Sequence, residues 1–226
     1  MRSVEEFENV HKDSDIYILA SGKSVDYIDS SFFNNKIVIG INQVYKKCFC
    51  KYLIRKEAAL INESILSSPK SIFFISKGNC GSDNKINYRI LQKQNLLKHN
   101  NIVVYDHLNN IRILPDFFPL KPKLIVSHSS ITTAIHLAAH MGAKNIILVG
   151  HDCGTLDNEC NFSNYHTQQT YKIAHSNGEV GYRNWIKLIE QHTIKLKEMI
   201  KEKYNANVLS LNPFINFGLE GHVYIR

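Results

Sequence analysis

Length, composition and charge define the broad class of this protein. The chain has 226 residues, 44% hydrophobic and 21% charged, which is typical of a globular protein of one large domain. No apolar run approaches the roughly 20 residues needed to span a bilayer, and residues 1–15 lack the apolar segment of a secretory signal. The net charge of +7 favours an anionic partner such as a nucleotide, a nucleic acid or an anionic membrane surface.

The cysteine content predicts a reducing compartment. The five cysteines are odd in number and show no paired spacing, so reduced thiols in a cytoplasmic protein are expected. These residues are Cys48, Cys50, Cys80, Cys153 and Cys160.

The first predicted strand leads into a turn of small and polar residues. Residues 1–14 predict an exposed helix or tail, and residues 15–20 predict a strand. The turn Ser21-Gly22-Lys23-Ser24 follows, before a short helix. In a strand–turn–helix unit, backbone N–H groups and the helix dipole point at a bound anion, so a phosphate site is predicted here. An ordinary turn is the alternative, and a phosphate loop of the ATPase type would need an upstream glycine that this segment lacks.

Four further strands are predicted in the first half of the chain. The first ends at Asn42-Gln43, where a side-chain amide can bond a base or a ribose, or else cap the next turn. Residues 77–87 and 106–123 predict loops, the second because it holds three prolines. The four strands cover residues 36–41, 50–55, 71–76 and 102–105.

The stretch 127–152 contains the most informative pattern. Small and apolar residues follow Ser129 and Ser130 and predict a helix packed closely against a sheet, with Gly142 as its stop. Residues 145–150 are nearly all apolar and predict a parallel strand buried on both faces. Ligands of open α/β sheets bind beyond the carboxyl ends of the strands, so Asp152 and the two serines are candidate ligands. An ordinary loop and helix cap are the alternative.

The last part of the chain predicts a lid, a helix and a strand. Residues 155–183 are polar, with aromatic residues and histidines but few aliphatic ones, a composition typical of a functional lid. Residues 185–204 predict an amphipathic helix whose polar side carries five lysines, and residues 207–211 predict a final strand. Strands that alternate with helices predict one domain, residues 1–226, built on a doubly wound, mostly parallel α/β sheet.

Five segments resemble motifs of the bacterial lipooligosaccharide sialyltransferases and of the related pterin-diphosphokinase-like proteins. The longest matches the spacing of the family's block without a gap, although Ile131 stands where the family has a glycine. In the first turn, Lys23 stands where the family has a proline. The segments are ILASGKSV at 18–25, GINQVY at 40–45, SSITTAIHLAAHMGAKNIILVGHD at 129–152, IAHS at 173–176 and LSLNP at 209–213.

The resemblance implies a Rossmann-like glycosyltransferase fold that binds a cytidine monophosphate (CMP) sugar and transfers the sugar with inversion, without a metal or other cofactor. By motif position, the first turn would contact phosphate or ribose, Asn42 the transferred sugar, and Asp152 the nucleotide end. Ser129 and Ser130 would hold the carboxylate of an acidic sugar or the phosphate. The predicted substrate-binding residues are Ser21, Gly22, Lys23, Ser24, Asn42, Gln43, Ser129, Ser130, Asp152, Cys153, Gly154 and Tyr165.

The resemblance also implies a histidine base in the lid. His175, within IAHS, is the favoured candidate and His166 the second, while Tyr171 would offer its hydroxyl to the phosphate. An imidazole titrates near neutral pH and suits the removal of a proton from an acceptor hydroxyl. His136 and His140, four residues apart on the central helix, are expected to be partly buried or at a rim.

Three functions remain open. The first is a metal-independent inverting glycosyltransferase that adds a CMP-activated acidic sugar, sialic acid or a relative, to a bacterial surface glycan. The second is an ATP- and Mg²⁺-dependent pterin-type diphosphokinase, with Asp152 and Asp157 as metal ligands. The third is a non-catalytic nucleotide-binding protein of the same fold. A Mg²⁺ site for phosphoryl transfer needs clustered carboxylates, and the predicted strand ends supply mainly Asp152, which favours the first.

The expected partners are the sugar donor and a glycan or glycolipid acceptor, and a homo-oligomer remains open. A functional basic face on residues 185–204 would hold a cytoplasmic enzyme at the anionic inner face of the membrane. Nucleic-acid binding is not expected, because aromatic residues are not interleaved with Lys and Arg on one surface. A zinc site at His151, Cys153, Cys160 and His166 matches no standard spacing and is not expected either.

Overall fold

The structure is a computed structural model. It describes residues 2–56, 58–78, 85–107, 114, 118, 123–127, 129–153, 156, 159–165 and 178–211, with side chains in the last segment described from residue 187. Within these ranges the chain forms one sheet of eight strands flanked by helices.

All neighbouring strands of the sheet are parallel, in the order β6-β5-β4-β3-β2-β1-β7-β8. The chain therefore adds strands in one direction from β1 to β6 and then returns to place β7 on the other side of β1. The order of the strands reverses between β1 and β7, which is the position where open α/β sheets hold ligands. The strands are β1 (Asp15–Leu19), β2 (Ile37–Ile41), β3 (Tyr52–Arg55), β4 (Ile72–Ser76), β5 (Ile102–His107), β6 (Lys123–Leu124), β7 (Asn145–Val149) and β8 (Asn207–Ser210).

Helices cover both faces of the sheet, so its central strands are apolar on both sides. In β1, Ile16 and Ile18 belong to one buried cluster and Leu19 belongs to another on the opposite face. The helices are α1 (Ile61–Ser67), α2 (Ile86–Lys93), α3 (Ser130–His140) and α4 (Gly178–Tyr204). Helices α3 and α4 pack on the first face, and α1 and α2 pack on the second. This arrangement confirms the predicted doubly wound α/β fold.

The N-terminal segment contradicts the prediction of an exposed helix or tail. Residues Val4–Phe7 form a short 3-10 helix in which Val4 and Phe7 are buried, because their spacing puts both side chains on the face that meets the sheet. The Phe7 ring lies 4.9 Å from the ring of Phe74, and the Asn9 N–H donates to the His140 carbonyl at 3.0 Å. The segment is therefore part of the hydrophobic core.

The two histidines of α3 are fully buried, so the expectation that they are partly buried or at a rim was wrong. His136 Nδ1 accepts a hydrogen bond from the Ile125 N–H at 3.0 Å, and its Nε2 lies 3.0 Å from the Tyr204 hydroxyl. His140 Nε2 donates to the Val4 carbonyl at 3.0 Å. Each ring has polar partners, which is the condition for burying an imidazole.

The remaining differences concern elements without a strong sequence pattern. Helices α1 and α2 and the two-residue strand β6 were not predicted. Helix α4 begins at Gly178 instead of residue 185, and so overlaps the end of the predicted lid. Gly178 and Gly181 have low helix propensity, so the sequence pattern does not predict the first turns of this helix. Among the described residues, no helix combines the length and the apolar character needed to cross a lipid bilayer.

Candidate functional site

A cleft opens where the strand order reverses, at the carboxyl ends of β1, β2 and β7. It encloses about 630 Å³ of empty space, part of which is open to solvent. The described residues that line it are Ala20, Ser21, Gly22, Ile41, Asn42, Ser129, Ile131, Gly150, His151, Asp152, Cys153, Cys160, Asn161 and Ile189.

Hydrogen bonds join the loop after β1 to the loop after β7 at the base of this cleft. The Gly22 N–H donates to the Gly150 carbonyl at 2.8 Å. Ser24 donates twice to the Asp152 carboxylate, from its N–H at 2.8 Å and from its hydroxyl at 2.5 Å. Asp152 therefore ties together two loops that are 128 residues apart in sequence.

Two glycines allow these loops to approach each other. A Cβ atom on Gly22 would lie 2.4 Å from Cγ of Asp152 and 2.5 Å from the Gly150 carbonyl oxygen, distances that real Cβ atoms do not show. Gly150 has a φ of +71°, in the left-handed region that favours glycine. The close contact of the two loops thus depends on glycine at both positions.

Asn42 and Tyr165 meet at the exit of β2. Asn42 takes the left-handed conformation, with φ of 58°, and its N–H donates to the Ile54 carbonyl at 2.9 Å. The Tyr165 phenol is buried and hydrogen-bonds with the side chains of Ser21 and Asn42. Burial raises the pKa of Tyr165, and these hydrogen bonds partly oppose the shift. The phenol is therefore protonated at neutral pH and can act as a hydrogen-bond donor.

The segment 159–165 is held against the loop after β1. The Phe162 N–H donates to the Ser21 carbonyl at 2.9 Å, and Ser163 donates to the Asp26 carboxylate from its N–H and, at 2.8 Å, from its hydroxyl. The ammonium of Lys23 lies 3.0 Å from the same carboxylate. Partial burial opposes the shift, but the hydrogen bonds from Lys23 and Ser163 hold the pKa of Asp26 below its ordinary value.

The N-terminus of α3 forms another wall of the cleft. Ser129 is the N-cap, and its hydroxyl accepts a hydrogen bond from the Ile131 N–H at 3.3 Å. Just before it, the buried Ser127 hydroxyl lies 2.6 Å from Nδ1 of His192 on α4. The positive end of the α3 dipole, together with the Ser129 hydroxyl, makes this wall suitable for a carboxylate or a phosphate.

His151 and Cys153 are both poor candidates for nucleophilic or base chemistry. The Thr193 hydroxyl donates to the Ile189 carbonyl at 2.9 Å, so His151 Nε2, 3.0 Å from that hydroxyl, must be the donor of their hydrogen bond. Burial lowers the pKa of His151 to about 4. Burial, with the charges of Glu190 and Asp152, raises the pKa of Cys153 to about 12. A thiolate–imidazolium pair is therefore disfavoured, although Cys153 Sγ lies 3.4 Å from the ring.

The charge of the cleft is low. Its described lining holds one carboxylate, Asp152, and neither lysine nor arginine. No three His, Cys, Asp or Glu side chains cluster as a metal site within the described part of the chain. Arg55, at the end of β3, is buried and donates from Nη2 to the Leu60 carbonyl at 3.4 Å. Its positive charge acts on the Tyr165 phenol and favours the ionised form of that group.

The predicted substrate-binding residues divide into three groups. Those that line the cleft are Ser21, Gly22, Asn42, Ser129, Asp152 and Cys153. Those that lie beside it, as supports or on neighbouring turns, are Lys23, Ser24, Gln43, Ser130 and Tyr165. Gly154 and the predicted catalytic residues His166, Tyr171 and His175 lie outside the described residues.

Sequence reasoning missed the contribution of α4. Ile189 lines the cleft, His192 contacts Ser127 and Thr193 contacts His151. The spacing of these three residues puts them on one face of the helix, where a histidine and a threonine interrupt the apolar stripe. Polar residues within an apolar stripe were the signal that could have identified this face.

Comparison with known proteins finds similarity in structure but not in sequence. No protein-family model matches the chain, and no curated protein matches it by sequence. Among solved structures, the sialyltransferase CstII from Campylobacter jejuni, in complex with the substrate analogue CMP-3FNeuAc, aligns with a TM-score of 0.53 at 13% identity. That alignment covers 94% of this chain and 88% of CstII.

A second enzyme of the same organism gives a similar result. The monofunctional alpha-2,3-sialyltransferase Cst-I from Campylobacter jejuni aligns with a TM-score of 0.55 at 12% identity, over 94% of this chain and 81% of Cst-I. This protein therefore has the fold of these two bacterial sialyltransferases.

Proposed function

We propose that this protein transfers an acidic sugar, sialic acid or a relative, from a CMP-linked donor to a hydroxyl group of a bacterial surface glycan, with inversion and without a metal. The observation that carries the proposal is the rim of the cleft between β1 and β7. The described residues of this rim offer hydroxyl and amide groups around a single carboxylate. The shared fold with CstII, whose structure holds CMP-3FNeuAc, supports the same class of donor.

The phosphate of the CMP-sugar must accept hydrogen bonds from the protein. These hydrogen bonds become stronger as negative charge develops on the phosphate during the transfer. Ser21 and the protonated Tyr165 are suitable donors, and they already contact each other. The N-terminus of α3, with Ser129 as its cap, suits the carboxylate of the sugar. Asp152, with its carboxylate held by Ser24, would shape the nucleotide end of the site.

The proposed reaction is a single displacement at the anomeric carbon. The acceptor oxygen forms a bond to that carbon on the face opposite the phosphate, and the bond between the anomeric carbon and the phosphate oxygen breaks. CMP leaves with the electron pair of that bond, and a base takes the proton of the acceptor hydroxyl. Attack from the opposite face gives inversion.

The base is proposed to be His175, with His166 as the second candidate and Tyr171 as a further phosphate contact. His151 lines the cleft but is a weak base, because burial lowers its pKa to about 4. Its Nε2–H also donates a hydrogen bond to the Thr193 hydroxyl. An imidazole with a pKa near neutrality is better matched to proton removal at physiological pH.

A Mg²⁺-dependent transfer of diphosphate from ATP is less compatible with the described residues. Such a site needs several carboxylates around the metal. Asp152 is the one carboxylate in the described lining, and both of its oxygens accept hydrogen bonds from Ser24. The geometry therefore favours binding of a nucleotide by neutral groups.

The test is isothermal titration with CMP and with ATP, each in the presence of Mg²⁺ and in the presence of EDTA. The expected result is CMP binding that EDTA does not change, with little binding of ATP. Binding of ATP that requires Mg²⁺, without binding of CMP, would contradict the proposal and favour diphosphate transfer.

A second experiment separates catalysis from binding. The variant His175→Ala is expected to bind CMP like the unmodified protein but to lose transfer of sialic acid from CMP-sialic acid to a glycan acceptor. His99→Ala is a matched control, because His99 is exposed before β5 at the opposite edge of the sheet. Retention of activity in His175→Ala would show that His175 is not the base. The variant His166→Ala would then be tested in the same way.

A further inference from the structure

Positive charge is concentrated in one half of the sheet. Residues 46–105, which contain β3, β4, α1, α2 and most of β5, hold eleven Lys or Arg against three Asp or Glu, a net charge of +8. The rest of the chain holds sixteen Lys or Arg against seventeen Asp or Glu. The net charge of the whole protein therefore originates in this half.

Lysines gather at the amino edge of the sheet, four of them within residues 46–105. All the strands are parallel, so the loops that enter β2, β3, β4 and β5 lie along one edge. These loops, residues 34–36, 47–51, 68–71 and 98–101, contain no Asp or Glu. Their five lysines are Lys36, Lys47, Lys51, Lys70 and Lys98, which we name the basic edge.

Direct hydrogen bonds show that three of these loops are neighbours. The Ile72 N–H, at the start of β4, donates to the Lys51 carbonyl at 3.0 Å. The Phe73 N–H donates to the Asn101 carbonyl at 2.7 Å, and the Asn101 side chain donates to the Ser71 carbonyl at 3.2 Å. Lys51, Lys70 and Lys98 are exposed, so their charges reach solvent at this edge.

Two apolar side chains project from the same region. Leu66, in the last turn of α1, is 82% exposed, and Phe49, in the loop before β3, is 59% exposed. These are the most exposed large hydrophobic side chains among the described residues. Lysines that lie close in sequence to exposed aromatic and aliphatic side chains are typical of surfaces that bind anionic membranes.

We propose that the basic edge, with Phe49 and Leu66, binds the surface of an anionic phospholipid bilayer. The lysines would meet the headgroups, and the two apolar side chains would enter the boundary between headgroups and acyl chains. A nucleic acid would also attract the lysines but would gain little from an exposed leucine. The inference is independent of the proposed function, because the cleft lies at the opposite, carboxyl edge of the sheet.

Helix α4 is a poorer membrane-binding surface. Its lysines Lys187, Lys195, Lys197, Lys201 and Lys203 alternate with Glu190, Glu198 and Glu202. The Lys201 ammonium also makes a hydrogen bond within the protein, to the Asn207 side chain at 3.0 Å. The mixed charges of α4 reduce its attraction to an anionic surface.

The experiment measures co-sedimentation of the full chain with vesicles of phosphatidylcholine alone and of equal parts phosphatidylcholine and phosphatidylglycerol. Binding is expected only to the anionic vesicles, and it should weaken as salt is raised. In the variant Lys51→Glu/Lys70→Glu, the partition coefficient should fall by at least about tenfold, given the contribution of each lysine near an anionic surface. The matched control Lys187→Glu/Lys203→Glu on α4 makes the same change of net charge and should retain most of the binding.

A second variant tests the apolar part of the surface. Phe49→Ser/Leu66→Ser should weaken binding to anionic vesicles without changing its dependence on salt. Three results would overturn the proposal: no binding of the unmodified protein to anionic vesicles, equal loss of binding in the two charge variants, or tighter binding to random-sequence duplex DNA than to vesicles. Thermal unfolding of each variant shows whether it remains folded.

Discussion

At the scale of single residues, the site depends on a contact between two side chains that are remote in sequence. Asp152 accepts two hydrogen bonds from Ser24, one from the backbone and one from the hydroxyl. A carboxylate at this position satisfies both donors and is itself partly shielded from water, so its hydrogen bonds are stronger than exposed ones. The contact holds the first turn in the position where it lines the cleft.

The coupling between the Ser24 hydroxyl and the Asp152 carboxylate can be measured by a double-mutant cycle with Ser24→Ala and Asp152→Asn. Each single substitution is expected to lower the free energy of unfolding by about 1–3 kcal/mol, because it removes a hydrogen bond to a charged group. The double variant should lose less than the sum, which gives a coupling energy of about 1–2 kcal/mol in urea denaturation. The exposed pair Asp29 and Ser31, which is bonded in a similar way, serves as a control with a smaller coupling. Additive effects in the first cycle would show that the hydroxyl of Ser24 and the carboxylate of Asp152 are not energetically coupled.

At the scale of elements, the segment 159–165 is joined to the rest of the protein by hydrogen bonds and by the burial of two aromatic rings. Asp26 holds Ser163, the Ser21 carbonyl holds the Phe162 N–H, and the ring of Phe162 is buried beside that of Tyr165. The segment thereby brings the Tyr165 phenol to Ser21 and Asn42. Because this segment is a loop outside the hydrogen-bonded strands, with Ser163 and Asn164 exposed, it is expected to open locally more easily than the sheet.

The variant Asp26→Ala should release this segment. We expect faster hydrogen exchange at the Phe162 and Ser163 N–H groups, corresponding to a loss of about 1–2 kcal/mol of local stability, because the hydrogen bonds to the carboxylate are lost. CMP affinity should also fall, since Tyr165 would be less well positioned. Asp29→Ala is the control, because Asp29 caps the neighbouring 3-10 helix Ser30–Phe33 and makes no described bond to this segment. Unchanged exchange in Asp26→Ala would contradict the role assigned to this carboxylate.

At the scale of the whole molecule, buried neutral histidines make the stability depend on pH. Burial, and then the nearby charge of His140, lower the pKa of His136 to about 3. Burial lowers that of His151 to about 4. In the unfolded chain both titrate near 6.5. Between about pH 6.5 and 4 the unfolded chain binds protons that the folded protein does not, so stability falls as the pH is lowered.

Urea denaturation at pH 7.5, 6.5 and 5.0 would measure this dependence. The free energy of unfolding is expected to decrease by about 1–2 kcal/mol for each of the two histidines at the lowest pH. The variant His136→Gln should reduce the slope whatever its own stability, because it removes one of the two buried imidazoles. A free energy of unfolding that is constant over this range would show that the two rings are not held neutral.

The elements with strong local patterns were predictable from sequence. Predicted strands coincide within one or two residues with β1, β2, β3, β4, β5, β7 and β8, and the predicted central helix coincides with α3. Apolar runs bounded by glycine and polar turns are the local requirement of a buried parallel strand. The placement of Asp152, Asn42 and Ser129 at the cleft follows from the rule that ligands bind beyond the carboxyl ends of such strands.

The partners of these residues depended on the tertiary structure. The local pattern of a strand reports its burial but not its neighbour, so the position of β7 beside β1, and with it the bond from Ser24 to Asp152, could not be derived. The same holds for His192 against Ser127, for Val4 and Phe7 in the core, and for the lysines of four separate loops along one edge. Residue type and periodicity determined which segments are buried and where a ligand could bind. Long-range packing and hydrogen bonding, whose partners lie many residues apart, decided which of those segments meet.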